Sequence, residues 1–259
     1  MEYFSKYEKN PYEDIRWNIP ERRQGVVAVV GGNGQAFRVP VKIAEWLTAH
    51  YPLETVKVLL PDVLQDKLPP VPDFVFVSST ESGSFADAEE IASALEVTDY
   101  GLVVGDLSKN AITAKALAAA CHLATKPLLI TRDAIDLLMS EPADNLLLNQ
   151  NLVLVATLAQ LQKLLKTVYY PKILTMTQPL TMVVEVLHKF TLSYPVKVVT
   201  LHDGQVLIAE NGSVAAVPLD QSGFSPLTLW SGEFAAKIAA YNLYNPDNFV
   251  KASVCATFA

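Results

Sequence analysis

The fold class of this chain is indicated by GVVAVVGGNGQAFRVPVKIAEWLTAHYP, residues 25–52. Its first part is a continuous run of β-branched and small apolar residues bounded by glycines, which is typical of a strand buried on both faces. The later part has apolar residues at helical spacing, with Pro40 near its start and Pro52 as a stop. A buried strand that leads into an amphipathic helix is the first unit of an α/β repeat.

The same alternation continues toward the C-terminus. Further strand-like runs occur in TVKVLLPD, FVFVSST, YGLVVGDLS, KPLLIT and NLVLVA, with helical patterns between or after them. One of these helices is predicted in SGSFADAEEIASALEV, with Ser84 as its cap. The alternation predicts an α/β fold with a mostly parallel central sheet and helices on both faces.

Two regions depart from this alternation. The segment VVTLHDGQVLIAENGSVAAVP contains Asp203-Gly204 and Asn211-Gly212, residue pairs that tolerate positive φ, so it predicts hairpins at an edge of the sheet. Residues 1–24 are rich in Tyr, Trp, Pro and charge, and are predicted to form an irregular N-terminal arm. Because no linker or fixed-period repeat interrupts the rest, residues 25–259 are predicted to form a single domain.

Composition narrows the classes of function. The chain has 259 residues, 51% of them hydrophobic, with a formal net charge of -7. This acidic balance argues against nucleic acid as a partner, because a nucleic-acid surface needs clustered Lys and Arg. No apolar run reaches membrane-spanning length and no signal-peptide pattern is present, so we expect a cytoplasmic protein without membrane contact. The partners expected are small molecules or proteins.

The histidines and cysteines of the sequence do not have the spacing of metal ligands. His50, His122 and His188 lie on predicted helices without the i, i+4 spacing of paired ligands. Cys121 and Cys255 lie far apart in Ala-rich surroundings, where a thiol behaves as a small hydrophobe. We therefore predict no metal site.

Glycines and acids follow several predicted strands. GGNGQAF follows the first strand, but Phe37 occupies the third glycine position of a dinucleotide motif, so a ligand-facing loop is favoured over a Rossmann site. Asp106 and Ser108 follow a later strand, where they would either face a ligand or cap the next helix. Asp133 would face the same edge or stabilise the first turn of its own helix through the dipole.

The segment LWSGEFAAKIAAY, residues 229–241, reads as a strand end, a Ser-Gly turn and a helix that begins near Ser231. Such helix N-termini often hold phosphate in α/β proteins. Glu233 is therefore either a catalytic base beside a nucleotide or a first-turn acid that stabilises the helix. His202 lies in a predicted turn, where a lone histidine is more often solvated than catalytic.

The order of these segments resembles the ribokinase-like fold and, within it, the ADP/ATP-dependent NAD(P)H-hydrate dehydratases. GVVAVVGGNG is similar to the family's first strand, GLVVGDLSKN to its Gly-Pro-Gly-Leu-Gly loop and LLITRDAIDLL to its Asp-Ala-Asp-Ala-Leu segment. VVTLHDGQVLIAENGSVAAVP is similar to its Lys-Gly hairpin, and LWSGEFAAKIAA to its Gly-Ser-Gly-Asp helix. The resemblance implies a three-layer α/β/α sandwich.

The resemblance also implies a role for each group of residues. Glu233 would be the catalytic acid-base group. ADP or ATP, with Mg2+ as a companion ion, would contact Ser231, Gly232, His202 and Gly204. An NAD(P)H-type substrate would contact Gly31, Gly32, Asn33, Gly105, Asp106, Asp133 and Thr157.

Several positions differ from the family's motifs. Thr157 stands at a histidine, His202 at a lysine and Asp106 at a proline, while Trp230 stands at the first glycine of the anion-binding helix. Glu233 replaces an aspartate, which moves the carboxylate outward by one C–C bond, about 1.5 Å. A misplacement of about 1 Å can cost roughly a hundredfold in rate.

These differences leave three functions open. The first is a lyase that dehydrates hydrated NAD(P)H, with Glu233 in acid-base chemistry. The second is a non-catalytic pseudoenzyme that binds a nucleotide or a partner protein on the same fold. The third is a small-molecule kinase in which Glu233 activates a hydroxyl for phosphoryl transfer. Short edge strands would permit a homo-oligomer in each case.

Overall fold

The computed structural model describes residues 2–140, 143–219 and 230–259, with side chains from Asn145 onward in the helix that begins at Ala143. Packing divides the chain into two compact units. The first unit is Pro20–Glu141, and the second combines Met1–Ile19 with Pro142–Ala259.

The elements alternate between strand and helix, as predicted. The strands are β1 (Phe4–Lys6), β2 (Val26–Gly31), β3 (Thr55–Pro61), β4 (Phe74–Val77), β5 (Tyr100–Gly105), β6 (Leu128–Thr131), β7 (Leu152–Val155), β8 (Lys197–His202), β9 (Gln205–Glu210) and β10 (Ser213–Pro218). The helices are α1 (Glu13–Trp17), α2 (Arg38–His50), α3 (Ala88–Glu96), α4 (Ala111–Leu123), α5 (Asp133–Leu138), α6 (Ala143–Leu147), α7 (Leu158–Thr167), α8 (Leu180–Ser193), α9 (Glu233–Leu243) and α10 (Phe249–Phe258).

The first unit is built on parallel strands. Their order is β6-β5-β2-β3-β4, and each neighbouring pair is parallel. Residues 27–30 of β2 are completely buried, as expected for a strand covered on both faces. This order places the carboxyl ends of β2, β5 and β6 side by side, which is where ligands gather in open α/β sheets.

The second unit is mixed. Its strand order is β1-β10-β9-β8-β7, in which β7 and β8 are parallel while β8, β9 and β10 form consecutive antiparallel hairpins. The two hairpin turns are the predicted ones: φ is positive at Asp203 and Gly204 and again at Asn211 and Gly212. The predicted hairpin segment is thus confirmed.

Two local predictions need correction. The N-terminal segment is not irregular throughout, because Phe4 pairs with Val214 in a parallel ladder between β1 and β10. Helix α3 is capped by Asp87 rather than Ser84, since the Asp87 carboxylate accepts from the backbone N–H groups of Glu89 and Glu90. The single domain predicted over residues 25–259 stays a prediction. Within the described residues, no helix combines the length and apolar character that crossing a membrane requires.

Candidate functional site

The ends of β2 and β5 approach each other closely in the first unit. Gly31 lies opposite Gly105, and a Cβ on Gly31 would come within 2.6 Å of the Gly105 carbonyl oxygen. The next residue, Gly32, donates its backbone N–H to that same oxygen at 3.0 Å. The glycines predicted to bind substrate therefore serve first to let two strand ends pack against each other.

The carboxylate of Asp133 holds the loop after β5. It accepts hydrogen bonds from the backbone N–H of Asp106 at 3.1 Å and of Leu107 at 3.3 Å. Gly105 has φ +89, and a Cβ there would lie 2.0 Å from Asp133 Oδ1. Only glycine combines that left-handed conformation with so close an approach. Asp133 begins α5, so its carboxylate also lies at the positive end of a helix.

The carboxylate of Asp106 is paired as well. Arg132 Nη2 lies 3.2 Å from Asp106 Oδ1, and the two side chains are 15% and 19% exposed. Arg132 Nε lies 4.0 Å from Asp133 Oδ1, at the outer limit of an ion pair, so the positive charge lies near both acids. Asn33 Nδ2 donates to the Asp106 carbonyl oxygen at 2.6 Å, which ties the loop after β2 to the loop after β5.

Of the two interpretations of Asp106 and Ser108, a ligand-facing position or a cap of the next helix, the capping interpretation is wrong. Asn110 caps α4, with its side chain accepting from the Thr113 N–H at 2.8 Å. Arg132, which pairs with Asp106, was not predicted as a site residue. A basic residue at a strand end next to two acids, in RDAID, is the signal that could have found it.

The loop backbone also differs from the one that the resemblance implies. Asp106, matched to a proline, has φ +56. The pyrrolidine ring fixes φ of proline near −65°, so a Gly-Pro-Gly loop does not adopt this conformation at that position. Arg132 has φ +59, which is uncommon outside glycine and costs on the order of 1–3 kcal/mol.

The start of α9 contributes the second group of predicted residues. Gly232 is the N-cap residue, with φ +89, and Glu233 is the first helical residue. Ser231 Oγ accepts from the Glu233 N–H at 3.3 Å. The Glu233 side chain is exposed, and Trp230 is 49% exposed, so its indole is not part of the core. The helix begins two residues after Ser231, close to the prediction.

Thr157, His202 and Gly204 occupy other positions in the second unit. Thr157 caps α7 in a capping box with Gln160, so its hydroxyl is engaged in helix initiation. The expectation of a solvated His202 is wrong: the ring is 5% exposed, and Nε2 lies 2.8 Å from the Gln178 carbonyl oxygen. Gly204 lies in the exposed β8–β9 turn, where a Cβ would have no heavy atom within 4 Å.

The structure thus gathers six predicted residues of the first unit into one bonded cluster. These are Gly31, Gly32, Asn33, Gly105, Asp106 and Asp133. The other six lie on three separate parts of the second unit: the start of α7, the β8–β9 turn and the start of α9. Of these parts, the start of α9 has the chemistry that suits a phosphate, because helix N-termini present N–H groups and a positive dipole end.

Comparisons with known proteins identify the fold. No family model and no curated protein matches this chain. A hypothetical protein from Streptococcus mutans matches in structure with a TM-score of 0.66 and 14% identity, over 97% of this chain and 88% of that one. A ribokinase-like superfamily protein from Enterococcus faecalis matches with a TM-score of 0.65 and 15% identity, over 100% of this chain and 86% of that one.

A third match carries a named activity. It is an ADP/ATP-dependent NAD(P)H-hydrate dehydratase from Bacillus subtilis, co-crystallised with ATP and Mg2+. Its TM-score is 0.59 at 13% identity, over 97% of this chain and 86% of that one. Identities this low define the fold alone, and the predicted ribokinase-like α/β fold is confirmed.

Proposed function

We propose that this chain binds ADP or ATP at the N-terminus of α9 and lacks the hydrate dehydratase activity of the family that it resembles. The observation that carries the nucleotide proposal is Gly232, a buried N-cap glycine at φ +89 directly before the helix. A glycine N-cap carries no side chain that would occupy the place of a phosphate. The dipole of α9 favours a negative group there.

A shared fold with a protein that was crystallised with ATP and Mg2+ supports the same ligand class. Ser231 fits this role, because its hydroxyl lies at the helix start and would donate to a phosphate oxygen. When bound, the nucleotide would supply a polyanion that neutralises the helix dipole. The contributions of Ser231 and Gly232 would then be to orient the phosphate and let it approach the backbone closely.

The bonded cluster of the first unit supports the proposal that the chain lacks hydrate dehydratase activity. Both carboxylates that the resemblance assigns to substrate already have partners. Asp106 pairs with the guanidinium of Arg132, and Asp133 accepts from two backbone N–H groups. A substrate that used either carboxylate would have to share it with a charge-assisted bond that is already made. The left-handed backbone at Asp106 adds a further departure from the family's loop.

A lyase remains the second candidate because of Glu233. Its side chain is exposed, and among the described residues no cation lies within ion-pairing distance of it. An uncommitted carboxylate at a helix N-terminus is able to accept or donate a proton in acid-base chemistry. The two candidates therefore differ in whether Glu233 performs a reaction or only stabilises its helix.

Thermal unfolding with ADP, ATP, NADH and buffer tests nucleotide binding. At a concentration about 100 times Kd, a ligand stabilises the native state by about 2.7 kcal/mol, roughly 5–10 °C in Tm for a chain of this size. We expect ADP or ATP to raise Tm, and Gly232→Ala to abolish the rise. Gly25→Ala is the matched control, because Gly25 has φ +86 and lies outside the candidate residues. A wild-type Tm that no nucleotide changes would refute the proposal.

Turnover separates the two candidates. The protein is incubated with hydrated NADH and either ADP or ATP, and NADH recovery and phosphate release are followed. We expect neither product in the wild type. NADH recovery that Glu233→Gln abolishes and Glu13→Gln retains would establish the lyase instead, since Glu13 is likewise the exposed first residue of a helix.

A further inference from the structure

The first unit contains a groove that the proposed function does not use. It has a volume of about 410 Å³ and lies between one face of α2, the strand β3 and the start of β4. Cavities of this size fall within the range of small-molecule sites, roughly 300–1,000 Å³. None of the twelve candidate site residues lines it.

Small side chains on α2 create the groove. Ala44, Thr48 and Ala49 line it from the helix. Val56 and Val58 line it from β3, where residues two apart point to the same face of the sheet. Leucine-sized side chains on that helical face would fill the space above the two valines. The sequence instead leaves an apolar floor beneath an open volume.

The opposite wall is held in a fixed shape. Val71, which is 37% exposed, and Phe74 line the groove from the segment that leads into β4. The segment reads Pro69-Pro70-Val71-Pro72, and each proline ring restricts its own φ and the conformation of the preceding residue. A wall with few accessible conformations loses little entropy when a ligand binds.

The charge along the groove has one sign. Glu45 on α2 and Asp73 before β4 are its lining residues with a charge. Lys57 lies between the two floor valines in β3, so it points to the other face of the strand. Lys67 lies 3.5 Å from the Gly34 carbonyl oxygen and does not line the groove. Over the described ranges, no cation forms an ion pair with Glu45 or Asp73.

We propose that this groove binds a small organic cation, an amine attached to an aromatic or alicyclic body. The apolar body would contact Val56 and Val58, which are already buried, and would remove the exposed parts of Val71 and Phe74 from water. The amine would lie between the Glu45 and Asp73 carboxylates at the rim. A neutral or anionic molecule of the same shape would lose this electrostatic attraction. The site is independent of nucleotide binding at α9.

Calorimetric titration with three probes of one shape tests the proposal. These are naphthylmethylamine, the neutral naphthylmethanol and the anionic naphthoate. We expect the amine to bind with a Kd of about 1 mM or tighter and at least about fivefold more tightly than the alcohol, with naphthoate weakest. The double variant Glu45→Gln, Asp73→Asn should bind amine and alcohol equally. Glu54→Gln is the control, because Glu54 is an exposed acid of the same unit outside the groove.

A second variant tests the location. Ala49→Trp places an indole in the groove from an exposed helical position, and we expect it to weaken the amine and the alcohol by at least about tenfold each. Equal wild-type affinity for the amine and the alcohol, or unchanged binding in Ala49→Trp, would overturn the proposal. So would a concentration-dependent dimer in sedimentation that Ala49→Trp dissociates, since the groove would then be an interface between copies of the chain.

Discussion

The loops of the first unit and the start of α9 in the second unit use their polar atoms differently. In the first unit, Asp106 and Asp133 are engaged by Arg132 and by backbone N–H groups. At α9, Glu233 is an exposed first-turn acid, and its N-cap residue has no side chain. Groups that satisfy one another make a rigid scaffold, whereas the N–H groups at a helix N-terminus are available to an anionic ligand. Stability should therefore depend on the first region and ligand binding on the second.

The largest expected effect comes from Gly105→Ala. The added methyl group would lie 2.0 Å from Asp133 Oδ1 at φ +89, so the carboxylate would have to move away from the two N–H groups that it binds. With a left-handed penalty of roughly 1–2 kcal/mol and the lost bonds, we expect a loss of about 2–4 kcal/mol in the free energy of unfolding, measured by urea denaturation.

Gly204→Ala is the matched variant for this test. Gly204 has φ +66, but its Cβ would have no heavy atom within 4 Å. We expect a loss of only about 1 kcal/mol, from the backbone alone. Equal losses in the two variants would mean that the first-unit loops are not held by the tight cluster described here.

Asp133→Asn is the next largest change. Each carboxylate oxygen of Asp133 now accepts from a backbone N–H. In asparagine an NH2 group replaces one of these oxygens, so that it faces the N–H donor instead of accepting from it. The attraction between Asp133 and Arg132 is also lost. We expect a loss of about 1–3 kcal/mol in the free energy of unfolding. Glu233→Gln, an equivalent neutralisation at the first residue of α9, should change it by no more than about 0.5 kcal/mol. A reversed order would contradict the division between scaffold and ligand site.

Thr157→Ala separates a structural role from a substrate role within the second unit. Its hydroxyl accepts from the Gln160 N–H at 3.2 Å, and Gln160 Oε1 accepts from the Thr157 N–H at 3.1 Å. Removing the hydroxyl should cost about 1 kcal/mol in urea denaturation, and Thr157→Ser should restore it because serine caps equally well. Nucleotide binding should be unchanged in both variants. Weaker binding in Thr157→Ser with full stability would give Thr157 a ligand role.

The sequence predicted the repeating elements because their signals are local. The buried run in β2, the helical spacing in α2 and the turn pairs at 203–204 and 211–212 all act within a few residues. The β1–β10 ladder was missed because Phe4 and Val214 are distant in the chain, and no local pattern specifies such a partner.

The sequence indicated which strand-end loops lie together but not how their side chains bond, and ligand binding by these residues stays a prediction. Strand-end glycines and acids correctly marked the loops that the sheet brings together. The pairing of Asp106 with Arg132 depends on which strands are neighbours, so spacing along the chain could not reveal it. Spacing along the chain could not reveal the position of His202 either. The residues around it predicted a solvated turn, whereas its ring contacts the carbonyl oxygen of Gln178.

The smallest expected change in stability comes from removing the charge of Lys237. Arg132 is paired, whereas Lys237 on α9 has no carboxylate within ion-pairing distance among the described residues. Burial, and then the nearby Arg16, lower the pKa of Lys237. Lys237→Met keeps the aliphatic stem and removes the charge. Because the amine is partly exposed and therefore screened, we expect a gain of only about 0.5 kcal/mol at pH 7.

The pH dependence tests the cause of that gain. A lowered pKa means that the folded protein releases the Lys237 proton before the unfolded chain does, so the unfolded state binds more protons between the folded pKa and about 10.4. The free energy of unfolding of the wild type therefore increases as pH rises through this window, and the difference in stability between Lys237→Met and the wild type becomes smaller. Lys115→Met, at an exposed position of α4, should show no such trend in urea denaturation between pH 7 and 10. A constant advantage for Lys237→Met would attribute it to packing rather than to an unpaired charge.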